Sequence, residues 1–192
     1  MLLRECGVVD PLLMSTPQLF LVVLGGRTAT SHIELHDVRF VAGASVDDTL
    51  PELRRQWFGK REGLHLDSYM AVRAIDGWAV SLRREPAVPQ PERLWFVNLG
   101  AYRPDSLAEL HHVELVVAEP PQAAKEAGKR QWLNGALHQH KDDLCAVDDC
   151  LAIEQLELLG GERWHVQLVP HPEGLSQPQV PDWFGYRRID RS

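Results

Sequence analysis

The chain has 192 residues, 44% hydrophobic and 24% charged, with a formal net charge of −7 at pH 7, a balance that suits one large globular domain or two small ones. It carries no basic block, which excludes a nucleic-acid partner that would need its phosphates neutralised. Three cysteines, Cys6, Cys145 and Cys150, make no disulfide framework and fit a reducing, cytoplasmic setting, and no apolar run approaches the ~20 residues of a membrane span.

Residues 1–18 read as an N-terminal extension without apolar period, and Met14 reads as the natural start. Leu19–Leu24 is a short apolar run ended by Gly25, a strand with a glycine exit. A loop of about ten residues comes next, and a second strand resumes over Val38–Val41. Val46, Leu50, Leu53 and Trp57 then fall on one helical face, with Thr49 and Glu52 placed for a capping box and Gly59 as the stop. Asp76-Gly77 forms a two-residue hairpin turn between strands Met70–Ile75 and Trp78–Leu82.

Sliding the sequence by 75 residues lays 19–82 over 94–157 with 17 identities in 64 positions, where composition alone would give about 4. Glu34-Leu35-His36 falls on Glu109-Leu110-His111, and Arg55-Gln56-Trp57 on Arg130-Gln131-Trp132. The second copy reads as strands Leu94–Leu99 and Val113–Val117, a helix opened by Pro120-Pro121 and ended by Asn134-Gly135, and strands Cys150–Leu159 and Arg163–Val169. The expected fold is therefore α+β, two tandem copies of a ββαββ unit packed as an internal pseudo-dimer, since units this small are marginal alone. The first repeat spans 19–82, a Pro-rich linker 83–93, the second repeat 94–169, and a Pro-rich tail 170–192, whose Trp183, Phe184 and Tyr186 predict docking.

Leu24-Gly25-Gly26-Arg27, Ile33-Glu34-Leu35-His36-Asp37-Val38, Trp57-Phe58-Gly59 and Leu64-His65-x-Asp67-Ser68 together resemble the bacterial domain of unknown function 1543 (DUF1543) family. That resemblance implies a duplicated bacterial protein and carries no activity. The second copy departs from the pattern, with Ala101-Tyr102 in place of Gly26-Arg27 and His112 in place of Asp37.

Seven of the shared pairs are polar, and packing does not oblige their retention: Ser31, Glu34, His36, Arg55, Gln56, His65 and Asp67 with their partners. Two readings are open, a paired hydrogen-bond network or a ligand site. The candidate binding residues are Arg27, Glu34, His36, His65, Asp67, Glu109, His111, His140 and Asp142. His65-x-Asp67, repeated as His140-x-Asp142, places an imidazole and a carboxylate on one face of an extended segment, which suits a metal half-site or an acid–base pair. Arg27 after two glycines suggests an anion contact. No cofactor is expected; the alternative is a divalent metal, with His138, His140 and Asp142 as its ligands. No nucleophile elbow, phosphate loop or dinucleotide fingerprint is present in the sequence. The functional expectation is a binding or structural module for a small ligand or a protein partner, as a monomer or homodimer. The alternative is an enzyme using His and carboxylate acid–base or metal-assisted chemistry.

Overall fold

The computed structural model describes residues 16–102, 104–136 and 145–191. The first apolar run sits within β1 (Gln18–Gly26), which is buried along nearly its whole length. It reads as continuous rather than alternating because both faces are covered: Leu19 and Leu21 enter one core, while Phe20, Val22 and Leu24 enter another. β2 (Leu35–Gly43) and β3 (His65–Val72) flank β1 antiparallel on either side. In the second copy β7 (Leu110–Ala118) and β8 (Cys145–Ala152) flank β6 (Arg93–Ala101) in the same manner. The register is repeated as well: Gly25 opposes His36, and Gly100 opposes His111.

One helix packs on each of these sheets. α1 (Leu50–Gln56) places Leu53 and the adjoining Trp57 against Phe20, Val22 and Leu24. α2 (Pro121–Ala136) places Ala124 and Trp132 against Trp95, Val97 and Leu99. The expected helix from Val46 instead begins as a 3-10 turn over Asp47–Thr49. The capping box does not form, because Thr49 Oγ1 donates to the Val46 carbonyl and Glu52 is engaged elsewhere. Asn134 and Gly135 lie inside α2 rather than ending it, an error of the kind expected where a helix frays.

The strand expected over Met70–Ile75 is divided. Its first part belongs to β3; after Arg73 the chain enters β4 (Ala74–Ile75), which turns through Asp76 and Gly77 into β5 (Trp78–Arg83). Positive φ at both turn residues, 49° and 80°, is the geometry that favours Asp-Gly here. The second copy divides likewise into β8 and β9 (Gln155–Glu157), which leads to β10 (Arg163–Pro170). The two hairpins merge into one four-stranded sheet, β4-β5-β10-β9, in which β5 and β10 pair antiparallel. Side chains from all three sheets, including Leu21, Phe96, Leu82 and Val166, meet in one shared core.

The tail docks. After the prolines, β11 (Trp183–Arg188) pairs with the free edge of β3, and Ile189 is 2% exposed beneath it. The fold is α+β with a strong excess of sheet.

Candidate functional site

Gly25 lies in β1 directly between His36 of β2 and His65 of β3. Residues in such a cross-strand row share a face, so the absent side chain lets an imidazole close over the strand. A Cβ on Gly25 would stand 2.3 Å from His65 Nε2 and 3.1 Å from Asp67 Oδ2. Asp67 joins the imidazoles through a bulge: Ser68 pairs with Val23 and Leu66 with Leu24, leaving Asp67 unpaired between them. Glu34, two residues before His36, completes the group.

His36 Nε2 is 3.2 Å from Asp67 Oδ2; His65 Nε2 is 3.2 Å from Asp67 Oδ1 and 3.8 Å from Glu34 Oε1. The His65 ring is 1% exposed, and its Nδ1 lies 2.8 Å from the Gly63 carbonyl oxygen. A carbonyl only accepts, so Nδ1 carries a proton, and Nε2 is the ring atom that faces the carboxylates. Tyr186 of β11 covers this imidazole, with ring centroids 4.1 Å apart.

The second copy builds a related but poorer cluster. His111 stands 3.8 Å from Glu109 through Nε2 and 3.5 Å from Asp148 through Nδ1. The Tyr102 hydroxyl donates to Glu109, and this bond with the Glu109 charge pushes the phenol's pKa up. A Cβ on Gly100 would lie 2.4 Å from Glu109 Oε1 and 2.6 Å from Asp148 Oδ2. The bulge is retained between Asn98 and Leu99, and Asp148 is the residue it leaves unpaired.

That register corrects the sequence alignment. Asp148, not Asp142, is the counterpart of Asp67, and Ala146 opposes Gly100 where His65 opposes Gly25. The offset is 75 residues through β1 and β2 but 81 at β3, because the stretch of chain from the start of the helix to the third strand is longer in the second copy. The cue lay in the sequence: Asp67-Ser68-Tyr69-Met70-Ala71 matches Asp148-Asp149-Cys150-Leu151-Ala152 once a gap is allowed. His138, His140 and Asp142 lie outside the described residues.

The other expected residues separate. Arg27 is exposed, and its guanidinium donates to the His32 carbonyl, tying a loop rather than joining the cluster. Arg55 and Gln56 both donate to Glu52, which also accepts the Leu159 amide of the other copy. Ser31 exchanges backbone–hydroxyl bonds with Thr28. Cys150 packs toward the Pro121 carbonyl beside α2, and burial pushes its thiol pKa up. Sequence reasoning places Tyr186 in a docking tail but misses that it covers His65, and misses the bond of Tyr102 to Glu109, because neither contact carries a local motif.

Both clusters border one cleft between the copies, with a volume of about 670 Å³. His36 and His111 both line it, as do Val38 and Val113, Val23 and Asn98, each pair related by the 75-residue offset. Arg39, held by Asp37 through a terminal nitrogen, presents a buried Nε that has no hydrogen-bond partner among the described residues.

The family model described as Domain of Unknown Function (DUF1543) matches residues 31–82 and 106–155. The chain belongs to this family. The histidines and carboxylates of both clusters of this DUF1543 protein fall inside the matched segments, which also confirm two copies of the domain; Gly25 and Gly100 lie outside them. It is similar to the protein Il1583 from Idiomarina loihiensis, seen in a crystal structure, with 36% identity and a TM-score of 0.69 over 90% of this chain and 97% of that one. No curated protein matches it. Among the described residues, no helix is long and apolar enough to cross a membrane.

Proposed function

We propose that the chain is a binding module, an internal pseudo-dimer whose two ββαββ copies hold a small amphipathic molecule in the cleft between them. The observation that carries this reading is that equivalent residues of both copies line the one cleft. Phe40, Phe96, Val38 and Val113 offer an apolar wall, while Arg39, Asn98, His36 and His111 offer converging polar groups, the usual composition of a small-molecule site. The unpartnered Arg39 Nε favours a ligand head group that accepts hydrogen bonds, because a buried donor left unmade is costly. The shared sheet and shared core support the pseudo-dimer. A second cavity, of about 510 Å³ beside Ala87–Gln90, holds none of the retained polar residues, and its Arg93 is already paired with Glu154.

The test is a titration with small carboxylates and amides of graded apolar length, monitored by NMR of the Arg39 Nε and the His36 and His111 rings. Saturable shifts at all three, weakened by Phe40→Ala, are expected. Shifts confined to other surfaces would overturn the reading. His36 against Asp67 at the cleft edge supports a second reading, acid–base chemistry on the bound molecule. Turnover of a bound ligand that is lost in His36→Gln, with binding retained, would select it.

A further inference from the structure

We infer that the cluster around Gly25 is a divalent transition-metal site, with His36 Nε2, His65 Nε2, Asp67 and Glu34 as the protein ligands. The donor set comes first. Two imidazoles with carboxylates suit zinc, manganese or iron and are too nitrogen-rich for calcium or magnesium. In the neutral form that ligates, the two histidines leave the group with a charge of about −2 from its carboxylates, which matches a divalent ion. Among the described residues no lysine or arginine pairs with Glu34 or Asp67; their ion-pair partners are His36 and His65.

Geometry agrees. Ligating atoms about 2.0–2.2 Å from a tetrahedral ion stand roughly 3.3–3.6 Å from one another; His65 Nε2 is 3.8 Å from Glu34 Oε1, and Asp67 faces the two imidazoles with its two oxygens, Oδ2 3.2 Å from His36 Nε2 and Oδ1 3.2 Å from His65 Nε2. Ligand atoms of Glu34, His36 and His65 all lie within 4.8 Å of one another. His65 already has the support that ligating histidines use, an Nδ1 proton given to a backbone carbonyl that fixes the tautomer and ring plane. Tyr186 covers the buried His65 ring, and the half-exposed His36 forms the edge of the cluster that faces solvent.

The glycine brings the ligands close. A strand interior disfavours glycine, but at position 25 a Cβ would stand 2.3 Å from His65 Nε2 and 2.8 Å from His65 Cε1, so only glycine lets this imidazole and Asp67 close over β1. The second copy keeps its glycine, Gly100, but has Ala146 opposite it, so among the described residues it offers one imidazole where the first copy offers two. The inference therefore assigns one tight site per chain, in the first copy, and it does not depend on the cleft reading.

The test begins with full-length protein stripped by chelator and titrated calorimetrically with zinc, manganese, cobalt, magnesium and calcium chlorides. One zinc per chain is expected, with a rise in melting temperature, and cobalt should give a visible d–d absorption. His36→Ala and Asp67→Asn, both at partly exposed positions, should weaken zinc more than about tenfold while circular dichroism stays unchanged. Gly25→Ala should block binding, and His111→Ala should leave it intact. Arg39→Gln should leave zinc unaffected, which separates this site from the cleft. The inference is overturned if zinc and manganese neither bind nor shift the melting temperature, if calcium or magnesium binds as well as zinc, or if binding survives both His36→Ala and Asp67→Asn.

Discussion

Glu52 shows how one side chain can hold two copies together. It is 4% exposed, and burial alone would raise its pKa. Hydrogen bonds from Arg55 and Gln56, the Arg55 charge and the Leu159 amide outweigh burial and hold it below the ordinary 4.5. A carboxyl whose folded pKa is depressed adds stability above its unfolded value and loses it as pH falls through the folded one. Glu52→Gln is therefore expected to cost roughly 1–3 kcal/mol at pH 7, with the gap to wild type closing below about pH 4. Urea denaturation at both pH values measures this, and a gap independent of pH would contradict it. Asp76 has the opposite sign: burial pushes its pKa up, the Val117 amide offsets part of that, and the Glu114 charge adds to it. Its contribution is largest when it is protonated and falls as pH rises through the raised value. Asp76→Asn, which retains an acceptor for the Val117 amide and tolerates the positive φ, is expected to be neutral or stabilising at pH 7 in the same assay.

At the scale of elements, β11 stands out because it comes from the end of the chain yet completes the sheet of the first copy. It covers the β3 edge, buries Ile189 beside Leu64 and Leu66, and places Tyr186 on His65. Arg54 fastens it by donating to the Ile189 and Arg191 carbonyls. Arg188 and the Gly63 amide both bond Asp190, drawing its pKa down to about 2. Ile189→Ala is expected to cost roughly 2–4 kcal/mol, read as a shift of the urea midpoint without a change of slope. Faster hydrogen exchange in β3 than elsewhere should accompany it, since an uncovered edge strand loses its ladder partner. Uniform exchange across both copies would argue against a local role for β11.

For the whole molecule, the central sheet is made of one hairpin from each copy, and the shared core draws on β1, β5, β6 and β10 together. Neither copy closes this core alone. Fragments 16–86 and 87–191, expressed separately, are expected to show collapsed amide dispersion by NMR. Expressed together, they should elute as a one-to-one complex with native-like dispersion. A well-dispersed spectrum from either fragment alone would show that the copies are independent domains.

The sequence by itself determined the duplication, the apolar runs of β1 and β6, the Asp76-Gly77 turn and the gathering of Glu34 with His36. Each is written locally or by direct repetition of residues. It aligned the third strands out of step, because an ungapped offset holds only until α2 outgrows α1, and the identities at His140 and Asp142 then concealed the match of Asp148 to Asp67. The tertiary structure alone decided the rest: that one strand breaks to serve two sheets, that the tail returns to β3, and that Gly25 lets His65 and Asp67 close over β1. These outcomes depend on pairing between strands far apart in sequence. Register across such pairs is chosen by which faces the whole core can bury, and no short segment carries that choice.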